Sequence, residues 1–196
     1  MNDDNSINKY VYYVKKGEEV NIDGNFKRFF KALGIIDKLE FINAPTKYKE
    51  ILIPDKSYEI SNYYTDHFLG VFNKVKDNLP KYCEENKYKK IFLSRSAFGK
   101  SKKIEFGTDM LDNYFKNNGF KILFPEQLSL QELIFYLGNA EEVAVMAGTA
   151  QHNLLFVSEK PKIYIIERMP FQNNISLDIN KMKNLSVTYI KFLNFS

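Results

Sequence analysis

The chain has two histidines and one cysteine, so few residues can carry acid–base, nucleophilic or metal chemistry. His67 follows Asp66 in the run Asn62-Tyr-Tyr-Thr-Asp66-His67-Phe-Leu, where a helix is expected to begin. Asp66 is a candidate general base toward a hydroxyl group, and His67 is a second. Adjacent helix positions do not share a face, so the two are not expected to act as a pair. The plainer reading of Asp66 is a helix cap. His152, the other histidine, opens a predicted helix in the run Ala147-Gly148-Thr149-Ala150-Gln151-His152-Asn153. A helix start disfavours the imidazolium, so a neutral donor or acceptor is expected there. Cys83 has no internal disulfide partner, and no Cys/His cluster suggests structural zinc.

Three further segments are suited to anions and hydroxyls. Arg95-Ser-Ala-Phe-Gly-Lys100-Ser-Lys-Lys103 sets one arginine and three lysines in one loop. A guanidinium can clamp a diphosphate with paired hydrogen bonds, whereas a run of charge is more often a solvated surface loop. In the Gly148 run, small residues let a ligand approach the backbone. Thr149 adds a hydroxyl, and the helix start offers amide donors. A single glycine is not a Walker or dinucleotide fingerprint, and a tight strand-to-helix turn explains it equally well. Glu167 ends an apolar strand and is followed by Arg168. A carboxylate there can accept two ribose hydroxyls, or sit in a surface ion pair.

The elements that must hold these residues follow from periodicity. Short strands are expected over residues 10–14, 39–42 and 50–53, and helices over 25–33 and 65–79. In the first helix Phe26, Phe29, Phe30 and Leu33 share a face, with Gly34 after its end. Residues 82–90 are polar and read as a linker or a helix extension. Regular alternation follows: strands over 91–94, 120–124, 142–146, 162–166 and 186–192, and helices over 108–118, 129–137, 151–156 and 177–183. Ser129-Leu-Gln-Glu132 is a capping box. Strands apolar on both faces imply a Rossmann-like parallel sheet with helices on both faces, an α/β fold. Ligands of such sheets bind at the carboxyl edge, which is where Arg95, Gly148 and Glu167 fall. Two domains are expected: a partial N-terminal α/β region over residues 1–85 and a second domain over 86–196.

Composition excludes several classes. At 196 residues and 44% hydrophobic content a core can form, and 15 Gly and Pro residues argue against disorder or collagen. No run reaches the roughly 20 apolar residues of a membrane span. The polar, acidic start is unlike a signal peptide, so the cytoplasm is the expected compartment. Net charge is +4, from 28 basic and 24 acidic residues, a mixed surface with no nucleic-acid motif. Only Arg28, Arg95 and Arg168 are arginines. Residues 26–31 combine aromatics with lysine and are open to a peripheral membrane contact, although a core-facing helix explains them more simply.

Taken in order, the segments resemble glycosyltransferase family 61. They are Ile91-Phe-Leu-Ser-Arg95-Ser, a Lys-rich loop, Asn118-Gly-Phe-Lys-Ile-Leu-Phe-Pro-Glu126-Gln-Leu-Ser-Leu-Gln-Glu132, Asn139-Ala140, Ala147-Gly148-Thr-Ala-Gln-His-Asn153-Leu-Leu-Phe156 and Lys162-Ile-Tyr-Ile-Ile-Glu167. The resemblance spans residues 50–167 and is firmest over 91–167. Bacterial members, often encoded with capsule or lipopolysaccharide genes, commonly carry His-Asn where this chain has His152-Asn153.

The resemblance implies a GT-B-type architecture with an incomplete N-terminal domain, in which residues 1–85 form the acceptor side and the Rossmann-like domain over 86–196 binds the nucleotide sugar. It also implies inverting transfer of a sugar from a nucleotide sugar to a polysaccharide, oligosaccharide or lipid-linked saccharide, at the inner face of the membrane if the acceptor is lipid-linked. No cofactor and no metal are expected, since the family lacks a DxD motif. By position, Arg95, Lys103, Gly148, Thr149, Ala150, His152 and Asn153 would face the donor phosphates and Glu167 the ribose. Asp66, His67 and His152 are the catalytic candidates. The chain departs from the family pattern in two places. Lys102-Lys103-Ile-Glu-Phe-Gly107-Thr108 replaces an Arg-Arg-x-x-Asn-Glu run, and Ala147 stands where many members have His. Residues before Glu50 are few for a whole N-terminal domain. The alternative is therefore a truncated, non-catalytic sugar-nucleotide-binding or assembly module, with a partner chain or a homo-oligomer completing the protein.

Overall fold

Two parallel strands joined through a helix open the chain. The computed structural model describes residues 7–15, 20, 22–85, 87–97, 107–158, 161–167 and 172–191. These divide into two compact units, Met1–Glu59 with Tyr63–Leu79, and Ile60–Asn62 with Pro80–Ser196.

In the first unit β1 (Tyr10–Tyr13) pairs in parallel with β2 (Leu39–Ile42), and α1 (Gly24–Ala32) lies between them in sequence. Asp23 caps α1 by accepting the Gly24 amide at 2.7 Å. Its far end is closed by Asn78, whose Nδ2 donates to the Ala32 carbonyl at 2.8 Å. That bond satisfies one of the acceptors a helix end leaves open. Asn78 ends α2 (Asp66–Asn78), which packs on α1 through Phe29 and Phe72, ring centroids 6.0 Å apart.

The expected aromatic face of α1 is only partly used: Phe29, Phe30 and Leu33 turn inward, but Phe26 is 75% exposed. The strand expected over residues 50–53 does not form, and Ile53 is 87% exposed. Branched apolar residues favour a strand only where a neighbour offers a ladder. The pairing in this region is a short antiparallel hairpin instead, β3 (Tyr58–Glu59) with β4 (Tyr63–Tyr64).

The second unit is a doubly wound sheet. Its elements are β5 (Lys90–Leu93), α3 (Thr108–Asn117), β6 (Lys121–Leu123), a short 3-10 turn (Pro125–Gln127), α4 (Leu130–Asn139), β7 (Glu142–Met146), a 3-10 helix (Thr149–Phe156), β8 (Lys162–Glu167), α5 (Asn174–Met182) and β9 (Ser186–Lys191). The strand order is β6-β5-β7-β8-β9, and every pair is parallel. Ile91, Phe92, Leu93, Val143, Ala144 and Val145 are fully buried, as strands covered on both faces require.

Right-handed crossovers fix which helix covers which face. The β5-to-β6 step runs one way along the sheet and all later steps run the other. So α3 covers one face, and α4, the long 3-10 helix and α5 cover the opposite one. The α3 face is aromatic: Phe92 stacks on Phe115 at 4.3 Å, and Phe120 meets Phe115 edge-on at 5.1 Å. The capping box of α4 forms as read, with Ser129 N–H donating to Glu132 at 2.8 Å and Glu132 N–H to Ser129 at 3.3 Å.

The expected linker has no helix among its described residues. It is tied to α4 by the Tyr136 hydroxyl, which donates to Glu84 at 2.6 Å, and by Tyr82 against the Phe135 ring. Burial and the Glu84 carboxylate push the Tyr136 phenol well above its ordinary value.

Candidate functional site

The chain leaves β5 in one direction, toward β6, and returns across it to β7. The carboxyl ends of β5 and β7 therefore flank the topological switch point, where an open α/β sheet leaves a crevice for ligands. Two of the loops singled out by sequence emerge there, one after Leu93 and one after Met146.

Register aligns the third. Leu93 pairs with Val145, and Met146 with Ile166. Extending the ladders places Arg95, Ala147 and Glu167 level with one another on three adjacent strands. The Ala147 amide continues the ladder by donating to the Ile166 carbonyl at 2.9 Å. With strands about 4.8 Å apart, the backbones of Arg95 and Glu167 lie roughly 10 Å apart, with the glycine turn between them.

The Arg95 backbone is held on both sides. Ser94 is fully buried, and its amide donates to the Leu123 carbonyl at 2.8 Å. Its hydroxyl accepts the Ser96 amide at 3.1 Å and donates to the Ser96 hydroxyl at 3.2 Å. Ser96 Oγ then donates to Asp112 Oδ2, on α3, at 2.5 Å. Arg95 itself is half-buried between these two serines.

Gly148 has φ +130° and ψ −154°, a conformation essentially restricted to glycine. The helix expected over residues 151–156 is a 3-10 helix that starts two residues earlier, at Thr149. The reason is local. The Gln151 carboxamide oxygen reaches back to accept the Gly148 amide at 2.9 Å, and Gln151 N–H donates to the Gly148 carbonyl at 3.0 Å. Gln151 is 2% exposed, and the same oxygen accepts the hydroxyl of buried Ser176 at 2.8 Å.

The Gly148 amide is thus already engaged inside the protein. The first amides of the 3-10 helix, at Thr149 and Ala150, have no intrahelical acceptor. Thr149 is exposed, so the turn is open to solvent at that point, while the Ala150 side chain is packed inward. His152 is exposed and Asn153 half-buried on the same helix. Partial desolvation of the His152 ring holds its pKa below the ordinary 6.5, in keeping with the expected neutral imidazole.

Glu167 ends β8, half-buried, and Oε1 accepts Gln172 Nε2 at 3.2 Å. Lys103 and Arg168 lie outside the described residues. Asp66 and His67 belong to the first unit, where both are exposed in the first turn of α2. Thr65, not Asp66, is the N-cap residue, so Asp66 faces the helix dipole from inside the helix.

Sequence reasoning missed Gln151, Ser176, Ser96 and Asp112. Each stands among other polar residues, as Gln151 does beside His152 and Asn153, so the linear chain gives them no signal of their own.

A family model for glycosyltransferase 61 matches residues 27–165, more than half of the chain. No curated protein matches it. The match takes in both loops of the switch point and ends two residues before Glu167. A doubly wound sheet with an arginine and a glycine turn at its crevice, and this match across them, have one reading: the chain belongs to the glycosyltransferase 61 family.

Proposed function

We propose that this glycosyltransferase binds a nucleotide sugar at the carboxyl edge of the second unit and transfers the sugar, with inversion, to a saccharide acceptor. The observation that carries this reading is the alignment of Arg95, the Gly148 turn and Glu167 on three neighbouring strand ends. The diphosphate rests against Thr149 and the start of the 3-10 helix. Arg95 pairs with its oxygens, and Glu167 accepts the ribose hydroxyls. His152 and Asn153 supply polar contacts beside the phosphates.

In the reaction, an acceptor hydroxyl attacks the anomeric carbon from the side opposite the diphosphate. A new carbon–oxygen bond forms as the bond to the phosphate oxygen breaks, and the hydroxyl proton passes to a base, for which Asp66, His67 and His152 are the candidates. The charge that grows on the leaving diphosphate is met by the Arg95 guanidinium and the helix-start amides, without a metal. Fixed donors in a crevice stabilise such charge better than water, which must reorganise around it.

As a GT-B-type enzyme, the chain would use residues 1–85 on the acceptor side and residues 86–196 on the donor side. The acceptor class is a bacterial surface polysaccharide, oligosaccharide or lipid-linked precursor on the cytoplasmic side, reached with or without a partner chain. Among the described residues no helix is long and apolar enough to cross a membrane. A lipid-linked acceptor is met, on this reading, by peripheral contact with the membrane surface.

Calorimetric titration with UDP, GDP, CDP and ADP tests the site. One of them is expected to bind, and Arg95→Ala to weaken it by about 1–3 kcal/mol through loss of a charge-assisted bond. Unchanged affinity in the variant removes Arg95 from the site. Release of free sugar from the matching nucleotide sugar separates an enzyme from a module that only binds.

A further inference from the structure

We infer that Asp112 is a positioning residue for Arg95, acting through Ser96. The inference rests on the reading of Arg95 as the phosphate-binding arginine. Asp112 stands on α3, half-buried, sixteen positions beyond Ser96. One carboxylate oxygen, Oδ2, accepts a hydrogen bond from the Ser96 hydroxyl at 2.5 Å. The other, Oδ1, is buried and has no hydrogen-bond partner among the described residues.

A carboxylate at a half-buried place is costly to the fold, because a charge gives up more on leaving water than an apolar group does. An apolar residue would suit the spot better, since α3 packs Leu111 and Phe115 into the aromatic cluster on the same side of the sheet. The carboxylate does one thing that an apolar residue cannot. It ends a directed chain in which the Ser94 hydroxyl donates to Ser96 and Ser96 donates to Asp112. With both hydroxyl protons oriented, Ser94 Oγ keeps a lone pair for the Ser96 amide, at 3.1 Å. The backbone on each side of Arg95 is then fixed, from a buried strand end to a helix on the sheet face. A guanidinium that starts from a fixed backbone loses less freedom when it grips a diphosphate.

The test uses the full chain with Asp112→Asn, Asp112→Leu and Ser96→Ala, each also combined with Arg95→Ala. Asp112→Leu guards against misfolding, since it replaces the buried carboxylate with a strong helix former of similar burial. Two readouts are taken: amide hydrogen exchange at residues 94–97, and calorimetric affinity for whichever of UDP, GDP, CDP or ADP the wild type binds best. Exchange at the residue 96 amide is expected to accelerate at least tenfold in Asp112→Leu and Ser96→Ala, and by less in Asp112→Asn, which keeps an acceptor oxygen. Affinity is expected to fall about tenfold beside Arg95, and to be unaffected once Arg95 is already alanine. Unchanged exchange at Ser96, or an equal loss of affinity in the Arg95→Ala background, overturns the positioning role. If the wild type binds none of the four nucleotides, the donor-site reading fails and the exchange readout alone decides whether Asp112 fixes the Arg95 backbone.

Discussion

The carboxamide oxygen of Gln151 lies 2.9 Å from the Gly148 amide nitrogen and accepts its proton. A side chain two residues into the 3-10 helix thereby closes the turn that precedes it. Ser176 donates to the same oxygen at 2.8 Å, so α5 is bound to the turn as well. Gln151→Leu leaves the half-buried Gly148 amide and the buried Ser176 hydroxyl without their acceptor. Its expected cost is about 1–3 kcal/mol of stability, with Ser176→Ala nearer 1 kcal/mol. Because the residues share one acceptor, the double variant should lose less than the sum of the two. Denaturant midpoints of the three variants check this, and simple additivity would show that the bonds are independent.

Gly148→Ala places a β-carbon on a backbone at φ +130° and ψ −154°. The strain is of the order of 1–3 kcal/mol, or is relieved by a change in the turn. Either outcome should weaken nucleoside-diphosphate binding, because the Thr149 and Ala150 amides take their direction from this residue. A variant with wild-type melting temperature and wild-type affinity would show that the turn neither needs glycine nor faces the ligand.

Glu167 is assigned the ribose hydroxyls. Wild-type protein should therefore bind a ribonucleoside diphosphate about tenfold or more tightly than its 2′,3′-dideoxy analogue, the worth of a hydrogen bond to a charged acceptor. Glu167→Gln should shrink that ratio while leaving affinity for the dideoxy analogue nearly unchanged. Competitive titration of the two nucleotides reads the ratio directly. A variant that loses affinity for both equally would move Glu167 out of the ribose subsite and into the structure of the β8 end, where Gln172 already contacts it at 3.2 Å.

His152 gives stability a pH dependence whose sign is fixed by desolvation. Its folded-state pKa lies below the unfolded value of 6.5, so the unfolded chain holds the proton more tightly. Above that value both states are neutral and His152 carries no penalty. As pH falls below it, the unfolded state gains by protonation and stability drops, until the folded ring is protonated too. His152→Gln should flatten the fall in denaturant midpoint between about pH 7.5 and about pH 5. A bound diphosphate should raise the His152 pKa, visible as a shifted imidazole titration by NMR. No movement of that titration on binding would place His152 away from the phosphates.

By itself, the sequence determined those features that depend on near neighbours. The capping box at Ser129 and Glu132 requires only two residues three apart, and it forms as read. Glycines end α1 and α3, with φ +75° at Gly34 and +80° at Gly119, because a helix closed by a left-handed turn is best served by a residue without a β-carbon. The unbroken apolar runs of β5, β7 and β8 announce a buried parallel sheet, and its carboxyl edge names the loops to examine.

Tertiary structure decided everything that depends on a partner distant in sequence. Residues 50–53 have the composition of a strand but no ladder to join, so they stay irregular and exposed. Phe26 has the spacing of a core residue and still faces water, since burial depends on what packs opposite and not on period alone. Strand order put β5 beside β7, and that adjacency, invisible in the linear chain, brings Arg95 level with the glycine turn. Ser96 with Asp112 and Gln151 with Ser176 are pairs of ordinary polar residues sixteen and twenty-five positions apart. Their roles come from shared burial, where a hydrogen bond missed cannot be replaced by water, and burial is a property of the folded chain.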